Sequence, residues 1–204
     1  MITVVDYGVG NVGAILNMLD YLGIEAQASD DAGHIAAADK LILPGVGSFD
    51  KAMLTLRERS LIAALNVAIL DRRAPVLGVC LGMQLLARRS EEGQEDGLGY
   101  INAQAVRIKV PEASGLKVPH IGWMEVAPTG RGKLFDPAQS PERYYFDHSY
   151  HMVCADPSTI SATILYGSEL CCAVEKDNIF GVQFHPEKSH RFGMRLLTSF
   201  GQST

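Results

Sequence analysis

Over residues 2–89 the chain alternates short apolar runs with segments of helical period, and this alternation most narrows the folds open to it. Residues 2–6, 24–28, 40–43 and 75–79 are short and β-leaning. Between the first two, residues 11–22 place Ile15, Leu19 and Leu22 on one helical face, with Gly23 as a stop. Ser60 is placed to cap a helix whose inner face is Leu61, Ala64, Leu65, Ala68 and Ile69, ending before Pro75. Residues 83–89 read as a further helix. Strands alternating with helices imply a parallel sheet covered on its faces. From about residue 100 the texture changes. Strand-like runs at 105–110, 120–126, 143–147, 160–165, 172–175 and 179–184 follow one another across turn residues, which predicts antiparallel additions to the same sheet. A closing helix over 189–200, with Ser189 as its N-cap, should bury Phe192, Leu196, Leu197 and Phe200. The expected fold class is α/β: a mostly parallel central sheet flanked by helices, with added antiparallel strands, in a single domain over residues 1–204.

Composition removes several function classes. At 47% hydrophobic and 20% charged, the 204 residues can bury a full core. A net charge of −5 and the lack of any Lys/Arg run give no pull toward nucleic acid or an anionic membrane. The opening MITVVDYG enters a strand without a basic leader, and the apolar stretch 61–70 is too short to span a bilayer and carries Asn66. Cys80, Cys154, Cys171 and Cys172 form no disulfide framework, the last two being adjacent, so a reducing cytoplasm is the expected setting.

The stretch GVCLGMQLL, residues 78–86, puts a cysteine between two glycines where a buried strand runs into a helix. One reading is a small buried hydrophobe. The other is a nucleophile elbow carrying sulfur, with Gly78 and Gly82 clearing the turn. A partner stands far downstream in GVQFHPEKS, residues 181–189, where a strand ends at His185 and Pro186 stops the ladder. His185 and Glu187 are two apart and would face one side of an extended segment, so the carboxylate can fix the ring tautomer while the other nitrogen takes a thiol proton. Read alone, His185 fits better a strand-end histidine with a structural hydrogen bond; beside a cysteine elbow at the end of another strand, the functional reading overtakes it. The loop LPGVGS, residues 43–48, could turn backbone N–H groups toward an oxyanion, or be an ordinary βα turn. A rival is the formal G-x-G-x-x-G of Gly8, Gly10 and Gly13, with Asp30 about 20 residues on, the pattern of a dinucleotide fingerprint. His148 and His151, three apart, do not make a metal site, and none is expected.

Together these stretches make the chain resemble the class I (triad) glutamine amidotransferases, and within them the branch of imidazole glycerol phosphate synthase glutaminase subunits. The resemblance rests on DYGVGN (6–11), LPGVGSF (43–49), GVCLGMQLL (78–86), RRSEEG (88–93), VPHIGW (118–123), YYFDHSYH (144–151) and GVQFHPEKS (181–189), in that order along nearly the whole chain. It takes the N-terminal glycines into the family's own pattern. It implies Cys80 as nucleophile, His185 as general base and acid, and Glu187 as its orienter. It further implies that Gln84 and the Ser149–Tyr150 backbone hold L-glutamine, and that the Leu81 N–H and the Gly45, Val46, Gly47 loop supply the oxyanion hole. Neither cofactor nor metal is implied. The partner implied is a (β/α)₈-barrel synthase subunit in a heterodimer, receiving ammonia across a face that includes Asn11, Trp123, Tyr145 and Lys188. Met124 stands where the family usually has Asn, and Asp147 where it usually has an apolar residue. A second branch, supplying ammonia to a surface-polysaccharide sugar amidotransferase, matches the C-terminal FHPEKSHRFGMRLL as well. A catalytically silent binding module is the reading of another class.

Overall fold

The computed structural model describes residues 1–136, 138 and 141–202. The first half follows the alternation: β1 (Ile2–Val5), α1 (Val12–Tyr21), β2 (Ala26–Ser29), α2 (Ala32–Ala37), β3 (Leu41–Gly45), α3 (Phe49–Glu58), α4 (Leu61–Asn66), β4 (Val76–Cys80), α5 (Leu81–Leu85) and a short β5 (Arg89–Ser90). Then come β6 (Ala103–Arg107), β7 (His120–Pro128), β8 (Glu142–His148), β9 (Tyr150–Cys154), β10 (Ile160–Tyr166), β11 (Ser168–Lys176), β12 (Ile179–Val182) and α6 (His190–Gln202).

Five strands in the order β2-β1-β3-β4-β12 run parallel. The sheet continues antiparallel through β11, β10, β7 and β8, while β9 joins β11 to β6. This is the expected mixed α/β architecture. β1, β3, β4 and β12 are buried on both faces, so successive residues serve different cores, while β2 at the edge is largely exposed. Val4, Ile42, Leu77 and Phe180 pack with Ile15 and Leu19 of α1 and Leu196 and Phe200 of α6. Val5, Leu41, Leu43 and Val76 pack instead with residues of α2, α3, α4 and α5.

Several local expectations need correction. Ser60 does not cap α4 with its side chain; it adopts a left-handed conformation (φ 57°), and α4 runs on into a π-helical turn, Val67–Asp71. Ser189 does not cap α6 with its hydroxyl, which donates to the His185 carbonyl at 2.6 Å and accepts from the Tyr145 N–H at 3.0 Å. In α6, Phe192 is half-buried while Leu196, Leu197 and Phe200 are buried. Leu22 lies just past α1 and is half-buried. No element was expected over 49–58, although Phe49, Ala52, Met53 and Leu56 recur at helical spacing and line the inner face of α3. The six-residue α2 buries Ile35 alone of its side chains and is held at its start by Asp31, whose carboxylate accepts the His34 N–H at 2.8 Å. The apolar pattern predicts a strand over 143–147 and none over 150–154; the chain breaks pairing at Ser149, and β9 takes new partners.

Helix α5 lies unusually close to the sheet because two glycines leave room. A Cβ on Gly82 would strike the Leu43 carbonyl oxygen, and one on Gly78 would meet the Gly82 carbonyl at 2.6 Å. Gly82→Ala should therefore cost about 1–3 kcal/mol of stability through overpacking against backbone. Gly13, helical and with nothing near its missing Cβ, provides the contrast: Gly13→Ala should stabilise by about 0.5–1 kcal/mol. Denaturant midpoints of the two variants check both signs.

Candidate active site

Parallel register brings three strand ends together. Gly45 pairs with Cys80 across β3 and β4, and Val79 pairs with Val182 across β4 and β12. The loops leaving these carboxyl ends therefore share one crevice, where α/β sheets place their ligands. A cavity of about 260 Å³ opens there, lined by Cys80, Gln84, His148, Tyr150, His185 and neighbouring residues.

Cys80 ends β4 at φ 56° and ψ −114°, a backbone conformation that a side-chain-bearing residue rarely adopts. The sharp turn leaves the thiol at the cavity wall, 7% exposed. Its sulfur lies 3.9 Å from the Asp147 carbonyl and accepts from the Gln183 side-chain amide at 3.8 Å.

His185 follows β12, with its N–H donating to the Tyr145 carbonyl at 2.9 Å. Its Nδ1 is 2.8 Å from Glu187 Oε1, both side chains being almost wholly buried. The sequence spacing gave the right pair by the wrong route: Pro186–Lys188 is a 3₁₀ turn, not an extended segment, and the turn folds Glu187 back onto the ring. Ser189 pins the turn to β8 through its two hydrogen bonds. Burial alone would depress the imidazolium. Hydrogen bonds and charge from Cys80 and Glu187 outweigh it and raise His185 to about 10.

Of the loop at 43–48, Gly45 lies buried beneath the cavity, whereas Val46 and Gly47 reach its lining and are exposed. A Cβ on Gly45 would lie 2.8 Å from the Gly82 nitrogen and 2.9 Å from the Leu81 Cβ. Tyr7, fully buried, donates to the Pro44 carbonyl at 2.8 Å and anchors the loop from below. Burial, then the Cys80 charge, pushes that phenol well above its ordinary range. Gly10 packs against the same loop: its missing Cβ would sit 3.0 Å from the Pro44 ring. Leu81, Gln84, Ser149 and Tyr150 all line the cavity. Sequence reasoning missed Gln183 and Glu92. Gln183, fully buried, accepts from Gln84 Nε2 at 3.0 Å and links it to the Cys80 sulfur. Glu92 lines the cavity and accepts the Phe49 N–H at the start of α3, at 2.9 Å. A polar residue inside the apolar run of β12 and its extension was the available signal for Gln183.

Three of the four residues assigned to a partner face form a cluster beside the cavity. Trp123 meets Tyr145 edge-on at 6.2 Å between centroids, and the Lys188 ammonium lies 5.6 Å from the Tyr145 centroid. Trp123 also stacks on His190. Asn11 is exposed ahead of α1, outside the cavity lining. His148 and His151 each turn Nδ1 toward a main-chain carbonyl, of Tyr150 and Met152 respectively.

The family model for class I glutamine amidotransferases matches residues 3–201. The chain belongs to this family. It is 49% identical over 200 residues to the imidazole glycerol phosphate synthase subunit HisH 2 of Methanococcus maripaludis, covering 98% of each chain. The identity and coverage are the same for the subunit HisH 2 of Pseudomonas aeruginosa. The structure of PurLQS from Thermotoga maritima aligns with a TM-score of 0.72 at 21% identity, over 98% of this chain and 96% of that one, which speaks to the fold. Among the described residues of this amidotransferase, no helix is long and apolar enough to cross a membrane.

The raised His185 has a calculable consequence. Its folded value exceeds the unfolded value of about 6.5, so it contributes stability that is complete below pH 6.5 and lost as pH climbs through about 10. Glu187→Gln removes a hydrogen-bonded charge that favours the imidazolium, so the His185 titration should move to lower pH. Proton NMR titration of the two proteins measures it; an unmoved midpoint would show that Glu187 does not hold the ring's charge.

Proposed function

We propose that this chain is the glutaminase subunit of imidazole glycerol phosphate synthase, acting in histidine biosynthesis. The carrying observation is the strained Cys80 turn on β4 facing, across the adjacent strand β12, a histidine already bonded to a buried carboxylate. Nucleophile, base and orienter in that order are what thiol acyl transfer needs. The full-length likeness to the two HisH 2 subunits supports the substrate and pathway.

In this reading His185 takes the Cys80 proton and the sulfur attacks the side-chain carbonyl of glutamine. The tetrahedral oxyanion is met by the Leu81 N–H at the start of α5 and by an N–H of the Gly45–Gly47 loop. Collapse expels ammonia with the proton carried by His185, leaving a γ-glutamyl thioester on Cys80. Water, deprotonated by the same histidine, then releases glutamate and restores the thiol. Gln84 and the Ser149–Tyr150 main chain grip the substrate. The ammonia passes to a (β/α)₈-barrel synthase subunit docked over Asn11, Trp123, Tyr145 and Lys188, which makes imidazole glycerol phosphate and an aminoimidazole carboxamide ribotide.

A second reading has the same chemistry feeding a sugar amidotransferase of surface-polysaccharide synthesis. The C-terminal FHPEKSHRFGMRLL resembles that branch as well, and Met124 and Asp147, the two departures from the family pattern, lie on β7 and β8 beside the proposed docking face. Glutaminase stimulation by one purified partner and not the other decides between them.

Cys80→Ala should abolish glutamine hydrolysis while ammonium salts still support the partner's reaction. Substantial glutaminase activity in that variant would remove Cys80 from the chemistry. A glutamine-analogue electrophile should label Cys80 ahead of the other cysteines in a mass map. A small unspecific alkylating reagent should also reach half-exposed Cys154, whose thiol a hydrogen bond from Cys171 brings down to about 7.

The isolated chain should be nearly inactive, with the loop at 44–47 as the gate. Gly47 has φ +89° with open space around it, so its peptide can turn at little steric cost, whereas Gly45 is wedged against α5. Gly47→Pro should lower the partner-stimulated kcat by about 10²–10³, the worth of one oxyanion donor, and alter the glutamine KM much less. Steady-state glutaminase assays with and without the synthase and its ribotide ligand measure both quantities; full activity of the lone chain would refute the gate.

A further inference from the structure

Two buried histidines lie beside the proposed active site and take no part in the chemistry above. His120 on β7 and His148 on β8 face each other across the ladder, 3% and 5% exposed. His148 Nδ1 is 2.8 Å from the Tyr150 carbonyl, and His148 Nε2 is 3.0 Å from His120 Nδ1. The His120 ring stacks on Tyr166, 4.1 Å between centroids, and on Phe146 at 5.0 Å.

These contacts fix every proton. A carbonyl oxygen only accepts, so the proton of His148 sits on Nδ1. Burial, helped by the charges of His120, His151 and His185 and opposed by the Tyr150 carbonyl, holds His148 at about 3, so at neutral pH the ring carries one proton. Its Nε2 must then accept, and His120 Nδ1 must donate. His120, lowered by burial to about 4, is neutral as well. The Tyr150 carbonyl at the end of this relay also receives the Gln84 amide at 3.4 Å, and Tyr150 opens β9 directly after the one-residue break at Ser149, both residues lining the cavity.

We infer that His120 and His148 form a neutral two-imidazole prop that sets the orientation of the Ser149–Tyr150 main chain, making His148 a positioning residue for the glutamine substrate. The inference rests on the glutaminase reading above. The device works because one donor determines the next. Without the His120 N–H, Nε2 of His148 is a buried acceptor with no donor, and the Tyr150 carbonyl alone holds the proton on Nδ1 against the tautomer that turns a lone pair toward that oxygen.

Nitrogen-15 NMR of the unaltered chain at neutral pH should show protonated Nδ1 and bare Nε2 on both rings; protonated Nε2 on His148 would overturn the prop. In the complex with synthase, His120→Leu should raise the glutamine KM about tenfold, the cost of one buried hydrogen bond, with kcat changed far less. His120→Asn, whose side-chain N–H can stand in for Nδ1–H, should restore KM. His148→Asn, which keeps a donor to Tyr150 with no need of His120, should restore it in the His120→Leu background. Equal KM in His120→Leu and His120→Asn would refute the prop alone. A wild-type complex inert toward glutamine would sink the glutaminase reading itself. The tautomer measurement stands even if His120→Leu fails to fold.

Discussion

The close approach of α5 to the sheet is the constraint on which the site depends. Gly82 lets the helix backbone rest against the Leu43 carbonyl, and Gly78 clears the strand beneath. With the helix that near, β4 has to turn into it within a single residue, and Cys80 is the residue left in the strained conformation. The same tight packing presses Gly45 against the start of α5, which sets the loop after β3 beside the first N–H of the helix. The positions of the thiol and of the loop beside the first N–H of α5 are thus consequences of one packing contact, and the strain of the turn is borne by strands buried on both faces.

Around that fixed thiol the buried polar groups are held by one another and by the main chain. Glu187 is folded back by a 3₁₀ turn rather than held on a strand, and Ser189 ties that turn to β8. The ring between them is favoured as imidazolium despite its burial, because carboxylate and sulfur flank it. Nearby, His148 is driven in the opposite direction, toward the neutral form, since burial outweighs the pull of the Tyr150 carbonyl and no carboxylate pairs with the ring. Two histidines in one cavity therefore carry different charge at neutral pH, a division of labour set by their surroundings alone.

Much of this was legible in the residues. The period of the apolar pattern gives the parallel half of the sheet, the change of texture after residue 100 gives the antiparallel half, and glycines around a strand-to-helix cysteine give the elbow. These are local signals, decided within a few residues by sterics and burial. Helix α3 carried the same kind of signal in Phe49, Ala52, Met53 and Leu56 and was overlooked. The caps at Ser60 and Ser189 were misread because a serine before a helix says nothing about which distant groups compete for its hydroxyl.

By itself, then, the sequence determined the fold class and supplied the residue types of the proposed triad, with His185 and Glu187 close neighbours along the chain. Only the tertiary structure decided that the ends of β3, β4 and β12 share one crevice, that Gln183 bridges Gln84 to the sulfur, and that His120 reaches His148. Those contacts join residues 28 to 103 positions apart. Strand order and register create them, and a linear pattern fixes which face a side chain takes without fixing which strand lies beside it.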